Sequence, residues 1–227
     1  MTDSLLFSLL AALVLGLSLH FGRTEGPLPL IILVVTIGLI CAFFVILLIS
    51  KTKQYRNVRL GCLGEQMVAE ELDPLREDGY RISHDFPGGP DWNIDHIAVG
   101  PGGVFAIETK VRSKRRAISA QKEHEVFFES DMLRFPWGID RKAAAQARRN
   151  AEALAKFIKD STGESLEVVP LLVLPGWYVS AKDRSDVRVL SGRGMAKFIR
   201  GFKPQLASEQ IQRCAFQVDQ KCRDVEF

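Results

Sequence analysis

The chain has 227 residues, 47% of them hydrophobic, and a formal net charge of +3. Of its 30 basic side chains, four precede residue 58 and 26 follow; of its 27 acidic ones, two precede and 25 follow. The part after residue 57 is therefore nearly neutral, which argues against a strongly cationic nucleic-acid-binding domain and leaves only local basic clusters. The four cysteines show no CxxC spacing, which argues against a disulfide framework or a zinc ribbon.

Two apolar runs precede residue 50. Residues 5–21 are mostly apolar, and residues 28–49 carry no charge. At about 1.5 Å of rise per residue, the second run spans a hydrocarbon core of about 30 Å, and the first is at the short limit. The polar residues 22–27 separate them, so the sequence predicts a two-helix transmembrane hairpin over residues 1–50 in a lipid bilayer.

The basic residues around these runs predict an orientation. Four follow the second run closely, Lys51, Lys53, Arg56 and Arg59, whereas the turn carries only Arg23. The positive-inside rule then places a linker over 51–59, and the whole downstream domain, in the cytoplasm of a multi-pass protein of the cell (inner) membrane. The alternative for residues 5–21 is a cleaved signal peptide, but the run lacks a basic n-region and a small-residue cleavage site.

Residues 57–72 have the pattern of a helix that ends near Pro74, since proline disfavours helical geometry in the residue before it. Glu65 shares the apolar face of this helix with Val68 and Leu72. An acid on an apolar stripe is costly to bury without a partner, so Glu65 is a candidate site residue. The alternative is a fraying or capping residue next to Gly64.

A predicted hairpin forms the centre of the domain. A short strand over 80–86 and a polar turn over 87–91 precede it; its own strands are 93–99 and 104–110, joined by a turn rich in Gly and Pro. If Val99 pairs with Val104, Asp95 lies across from Glu108, and Lys110 lies on the same sheet face. Opposed carboxylates about 5 Å apart at Cβ repel each other, which predicts a divalent cation between them.

The turn is the condition on which this register depends. Pro101 favours type I or II, whereas two-residue hairpins prefer the primed types. A four-residue loop keeps the pairing, and a one-residue bulge separates Asp95 from Glu108. We interpret Asp91 as a turn residue and His84 and His96 as structural or surface residues.

Further elements follow the hairpin. A basic run (Arg112, Lys114, Arg115 and Arg116) is either solvated surface or a set of phosphate contacts. A strand is predicted over 125–129, a tight aromatic turn over 135–138, and a helix over 140–158 with Asp140 as its N-cap. Gln146 and Asn150 are i, i+4 neighbours at the edge of its inner stripe.

The remaining pattern completes a mixed α/β arrangement. Residues 168–174 form a continuous apolar run, typical of a strand that is buried on both faces. A strand over 187–190 and helices near 194–201 and 206–218 follow.

An Asp on one strand and Glu-x-Lys on the next supply what metal-dependent phosphodiester hydrolysis needs. Asp95 and Glu108, with the Thr109 carbonyl and water, predict a Mg²⁺ site that also accepts Mn²⁺. Lys110 is predicted to orient the nucleophilic water or to stabilise developing charge. Glu65, arriving from the preceding helix, is predicted to hold a second metal or that water.

Over roughly residues 58–175 the sequence resembles the nuclease-related domain (NERD) family of the restriction-endonuclease-like PD-(D/E)XK superfamily. The resemblance implies an α/β restriction-endonuclease-like core with a central mixed β-sheet flanked by helices over 60–180. Residues 181–227 lie outside the resemblance and are predicted to form a C-terminal extension with a strand and helices. It also implies a metal at Asp95 and Glu108, Lys110 as catalytic lysine, and Gln146 as an accessory phosphate or water contact. The residues that carry it are Gly64-Glu65, Asn93-Ile94-Asp95, Ile107-Glu108-Thr109-Lys110, Phe135-Pro136-Trp137-Gly138 and Gln146.

Two functions from different classes fit these patterns. The first is a membrane-tethered, Mg²⁺-dependent endonuclease that faces the cytoplasm and acts on DNA. The second is a non-catalytic nucleic-acid-binding or scaffolding module held at the membrane. In a third interpretation, Glu108 and Lys110 form an exposed ion pair on a strand, which contributes little to stability.

Overall fold

A computed structural model describes residues 12, 16, 28–114 and 124–223. The predicted membrane helix over 5–21 therefore lies outside the described residues except at two helical positions, and so do Arg115 and Arg116. The two-helix hairpin thus stays a prediction. The chain divides into two compact units, Met1–Val58 and Arg59–Phe227.

The described elements follow one another as a long helix, a strand-rich middle and a mixed C-terminal part. In chain order they are α1 (Leu28–Leu72), a 3-10 turn (Asp73–Arg76), β1 (Arg81–Gly89), β2 (Trp92–Gly100), β3 (Gly103–Thr109), β4 (Glu125–Glu129), β5 (Met132–Phe135), β6 (Gly138–Asp140), α2 (Ala143–Thr162), β7 (Val168–Leu174), β8 (Tyr178–Ala181), β9 (Arg188–Ser191), a second 3-10 turn (Gly192–Gly194), α3 (Met195–Arg200) and α4 (Ser208–Arg223).

Helix α1 is longer than the sequence predicts. Residues 51–59, predicted as a linker, are helical, and the predicted helix over 57–72 is the last part of the same element. The reason is local, because no proline follows Pro29 before Pro74 and each helical glycine costs only about 1 kcal/mol. The most apolar window of this helix has a mean hydropathy of 3.3 and no buried residue. This helix has the length and composition of a membrane anchor. A signal sequence near an N-terminus has the same two features.

The main sheet has five strands in the order β1-β2-β3-β7-β9. Strands β1, β2 and β3 pair antiparallel, whereas β7 pairs parallel with both β3 and β9. The sheet is therefore mixed, as predicted. Strand β7 lies between β3 and β9 and is buried at Val168 and at residues 171–174, which confirms the apolar strand expected over 168–174.

Helices cover the main sheet on both faces. On one face α2 and α4 bury Leu154 and Val218 together with Val104 and Ala106 of β3. Phe105, which lies between these two residues of β3, points to the opposite face, because strand side chains alternate. There it packs with Val68 of α1 and with residues of α3.

A second sheet was not predicted. Its four strands run β6-β5-β4-β8, and it shares an apolar cluster with the alanine-rich start of α2. The sequence signals only β4, because β5, β6 and β8 have three or four residues each and are too short to show a period. The aromatic turn does form, between β5 and β6, and Phe135, Trp137 and Trp177 contact one another there.

The start of helix α2 differs from the prediction for a physical reason. Helix α2 begins at Ala143 rather than Asp140, which ends β6. The Asp140 carboxylate still accepts hydrogen bonds from the backbone N–H groups of Lys142 and Ala143, at 3.0 and 3.2 Å, so it caps the helix from outside. The segment predicted as a C-terminal extension with a strand and helices contains the edge strand β9 and the helices α3 and α4, and α4 packs in the main core.

The packing of α1 at Gly64 generates a prediction. A Cβ on Gly64 would lie 2.0 Å from Cγ2 of Val111, whereas nothing lies within 4 Å of a Cβ on Gly61, three residues earlier on the same helix. Gly64→Ala should therefore lower the free energy of unfolding by about 1–3 kcal/mol, because it overpacks the contact. Gly61→Ala should leave it unchanged or raise it by about 0.5–1 kcal/mol.

Denaturant unfolding of the full chain in detergent measures both variants. Val111→Ala in the Gly64→Ala background should recover part of the loss, since it removes the clashing methyl groups. A Gly64→Ala protein as stable as the Gly61→Ala protein would contradict the close contact.

Candidate functional site

The acid pair lies at the open end of the β2–β3 hairpin. Val99 pairs with Val104, and Gly100 with Gly103, so the predicted register is confirmed and the turn is the two-residue Pro101-Gly102. Gly103 has φ +126°, a conformation that glycine adopts readily and other residues rarely do. Continued along the strands, this register sets Asp95 across from Glu108.

The Asp95 side chain closes the hairpin at this end. Its Oδ2 accepts a hydrogen bond of 2.6 Å from the backbone N–H of Thr109. The carboxylate thus ties β2 to the residue between Glu108 and Lys110. Strand β3 is held on its other side by β7, where Lys110 N–H donates to the Val173 carbonyl at 2.8 Å.

Glu108 is buried, with 3% of its surface exposed. It lies on the same face of β3 as Val104 and Ala106, and therefore faces α2. Asn150 of that helix, fully buried, donates from Nδ2 to Glu108 Oε2 at 2.9 Å. Burial, and then the charge of Asp95, raise the pKa of Glu108 to about 8. Lys110 and the Asn150 amide act in the opposite direction.

Asp95 is half-buried, and its pKa is raised to about 6. Burial is the first cause, and the negative charges of Glu65 and Asp85 add to it. The Thr109 hydrogen bond and the charge of Lys110 oppose the rise. Both members of the pair are therefore acids whose ionised forms are costly here, which is the electrostatic condition that a bound cation relieves.

Glu65 reaches the same place from α1. Its pKa is raised, first by burial and then by the charge of Asp85. The close approach of Gly64 to Val111, the residue after Lys110, sets this part of the helix against the exit of β3. The structure thus brings together four residues of the predicted site, Glu65, Asp95, Glu108 and Lys110.

Lys110 is half-buried among these acids. Its charge lowers the pKa values of Asp95, Glu108 and Asp140. Within the described part of the chain, no carboxylate oxygen lies within 4 Å of its Nζ. The ammonium is therefore close to the acids without being fixed in an ion pair.

The other predicted contacts are less closely tied to the pair. Gln146 is half-buried in the first turn of α2, one turn before Asn150. Arg112 forms a 2.6 Å ion pair with Asp140, which occupies its guanidinium. Lys114 is exposed, with its Nζ 6.0 Å from the ring centroid of Trp177, and Arg115 and Arg116 lie outside the described residues.

Sequence reasoning missed two residues of this site. Asn150 appeared only as a neighbour of Gln146, and its hydrogen bond to Glu108 depends on how α2 packs on β3. Asp85 is exposed on β1 with φ +53°, a left-handed conformation that Asp tolerates better than most residues. The signal available in the sequence was the Asn150 position on the inner edge of the helix.

His84 and His96 lie away from the acid pair, in agreement with their interpretation as structural or surface residues. His84 and His96 lie opposite each other on β1 and β2, with their Nδ1 atoms 2.7 Å apart. His96 is buried, and burial lowers its pKa to about 3, with a smaller effect from His84. Its side chain is on the sheet face opposite to Asp95, so it is no partner of the acid pair.

The donor set fits one cation with few protein ligands. Among the described residues, no three His, Cys, Asp or Glu side chains are grouped to hold a metal ion. A cation here would be held by Asp95 and Glu108, with main-chain oxygen at Thr109 and water, as Mg²⁺ commonly is. One buried oxygen beside Glu108, Asn150 Oδ1, has no hydrogen-bond partner among the described residues, which agrees with a polar occupant.

The sequence pattern of the family described as nuclease-related domain, NERD, matches residues 60–175, just over half of the chain. The chain belongs to this family. The match contains Glu65, Asp95, Glu108, Lys110 and Gln146, and it ends after β7, before β8, β9 and the last two helices. No curated protein and no solved structure matches the chain.

The raised pKa of Glu108 predicts a pH dependence of stability in the metal-free protein. The neutral carboxyl stabilises the fold fully below its unfolded pKa of 4.5, and this contribution is lost as pH rises through about 8. Stability should therefore fall with a slope of up to about 1.4 kcal/mol per pH unit within that window. Glu108→Gln should flatten the dependence and make the protein more stable than wild type at pH 8.

Chemical denaturation of the full chain in detergent with EDTA, at pH values from 5 to 9, measures this slope. Glu70→Gln makes the same change at an exposed position of α1 and serves as the control, with an unaltered profile expected. Parallel profiles for wild type and Glu108→Gln would show that Glu108 is not the group responsible.

Proposed function

We propose that this protein is a membrane-anchored nuclease that hydrolyses phosphodiester bonds of DNA with Mg²⁺ on the cytoplasmic side of the inner membrane. The observation that supports it best is the pairing of Asp95 with Glu108 at the end of a hairpin, with Lys110 and Glu65 beside them, inside a nuclease-related domain. Mn²⁺ is expected to substitute for Mg²⁺.

The acid pair supplies the metal ligands in this proposal. Mg²⁺, when bound there, polarises the phosphate and lowers the pKa of a bound water. Asn150 keeps Glu108 Oε2 in one orientation, and the Thr109 N–H does the same for Asp95 Oδ2. The ligands are thus held by hydrogen bonds before any cation arrives, which reduces the reorganisation that binding requires.

Lys110 and Glu65 would act on water and on charge. Lys110, free of any close ion pair within the described residues, is able to donate to a phosphate oxygen as negative charge develops there. Glu65, with its raised pKa, is able to accept a proton from the attacking water. Gln146, one turn before Asn150, would add an amide contact to phosphate or water.

The membrane part of the proposal is supported by α1 and the basic residues that follow its apolar section. The uncharged run over 28–49 is long enough to cross a bilayer, and Lys51, Lys53, Arg56 and Arg59 come after it. With a first span over 5–21, the protein would cross the membrane twice. The nuclease would then act on DNA close to the inner membrane surface.

Metal-dependent cleavage by the purified full chain tests the proposal. The wild-type protein in detergent should nick or cut DNA with Mg²⁺, and EDTA should stop it. Asp95→Ala, Glu108→Ala and Lys110→Ala should each lower the rate by about a hundredfold or more. Glu65→Ala should also reduce it, whereas Glu70→Ala, an exposed acid on the same helix, should not.

Two outcomes would argue for other functions. Activity that persists in Asp95→Ala and Lys110→Ala would remove the site assignment. Salt-dependent DNA binding without cleavage, unaffected by EDTA and by Asp95→Ala, would instead indicate the non-catalytic nucleic-acid-binding module.

The orientation has a test of its own. A green fluorescent protein joined after residue 227 should fluoresce in a bacterial host, and alkaline phosphatase joined there should stay inactive, because the positive-inside rule keeps this end in the cytoplasm. The same two fusions after residue 25 provide the control, with the opposite result expected. Active phosphatase after residue 227 would reverse the proposed topology.

A further inference from the structure

Two adjacent arginines of α2 are in opposite electrostatic situations. Arg148 donates to Asp186 at 2.7 Å and to Asp131 at 2.8 Å, so two carboxylates compensate its charge. Arg149 is exposed, and no carboxylate oxygen of the described residues lies within 4 Å of its guanidinium. One position on the helix thus carries a neutralised cation, and the next carries an uncompensated one.

Arg149 is nevertheless not left to rotate freely. Its Cζ lies 4.4 Å from the ring centroid of Trp92, which begins β2. A guanidinium over an indole face is held by cation–π attraction and keeps its N–H donors available at its edge. The indole therefore orients Arg149 without consuming its charge.

The position of Trp92 is set by two glycines at the end of β1. A Cβ on Gly88 would lie 2.1 Å from Trp92 Cζ3, and one on Gly89 would lie 2.3 Å from Nε1. The ring thus rests directly on glycine backbone, where no other residue leaves room. It also packs against the main core, so it is fixed on a rigid part of the fold.

Trp92 and Arg149 are each close to the acid site along the element that carries them, β2 and α2. Trp92 precedes Asp95 by three residues on β2, and Arg149 directly precedes Asn150, which is hydrogen-bonded to Glu108. The charge of Arg149 is near enough to lower the pKa of Glu108. An oriented, uncompensated cation therefore lies at the rim of the two carboxylates.

We propose that Arg149, oriented by Trp92, binds a backbone phosphate of the nucleic-acid strand next to the phosphate that lies at the acid pair. This inference rests on the proposed function, and it adds the residue that fixes the path of the substrate. A guanidinium fits phosphate because its parallel N–H groups match two oxygens. The contact is independent of base sequence, because a phosphate carries no base identity.

Binding measurements on two alanine variants test this. The full chain in detergent is titrated with a short duplex DNA in EDTA, so that no turnover occurs, over a range of salt concentrations. Arg149→Ala should weaken binding about eightfold at 0.1 M salt and reduce the salt slope by about one, the share of one phosphate contact. Arg148→Ala removes the same formal charge from the next residue and should leave both quantities nearly unchanged.

Two further variants test the orientation by Trp92. Arg149→Lys keeps the charge but loses the planar guanidinium, so it should recover the salt slope and only part of the affinity. Trp92→Ala should weaken binding while leaving the salt slope close to that of wild type. Circular dichroism verifies that each variant is folded.

The outcomes separate this inference from the proposed function. Equal weakening by Arg148→Ala and Arg149→Ala would indicate general charge only and would overturn the inference. Unchanged binding by Arg149→Ala, with Mg²⁺-dependent cleavage present in the wild type, would overturn it and leave the nuclease function standing. Binding that depends on Arg149 alone, in a protein that cleaves nothing, would support the contact and reject the nuclease.

Discussion

The placement of Glu108 in the interior beside Asp95 is the constraint on which the rest of the site depends. Like charges at close range, partly out of water, raise the free energy of the folded protein unless something compensates them. Three groups do so: the Thr109 N–H, the Asn150 amide and the nearby Lys110. The compensation is incomplete, since both carboxyl pKa values stay raised.

The groups that meet at this point come from parts of the chain that are far apart. The strands of one hairpin supply the two acids and the lysine, α1 supplies Glu65, and α2 supplies Asn150 and Arg149. Such convergence needs rigid elements, and the packing of α2 and α4 on one face and α1 and α3 on the other provides them. Gly64 and the glycine pair at 88 and 89 serve the same purpose, because each lets a neighbouring side chain approach a backbone closely.

The features that sequence predicted well are those decided by local chemistry. The register of the hairpin follows from a two-residue turn and a period of two, and β4 and β7 have the residues expected for them. The features that it missed are decided by tertiary packing. The hydrogen bond from Asn150 to Glu108, the ion pair of Arg112 with Asp140 and the pairing of β4 with β8 in the second sheet join segments 28 or more residues apart, where no local pattern identifies the partner. The sequence does not predict the helical state of residues 51–59, because a basic run after a membrane segment is typical of a linker, although Lys and Arg are good helix formers.

The position of β7 between β3 and β9 has a consequence for how the protein is made. Strand β7 comes late in the chain, β9 later still, and α4, which packs against β1 and β2, is last. During synthesis the apolar stretch of α1 leaves the ribosome before any of the elements that cover the sheet. The nascent β2–β3 hairpin therefore stays uncovered, with its acids solvated and its apolar face exposed, until β7, β9 and α4 have been synthesised. Such long-range pairing is slow to form, so the protein should depend on chaperones during its synthesis more than a domain of local contacts does.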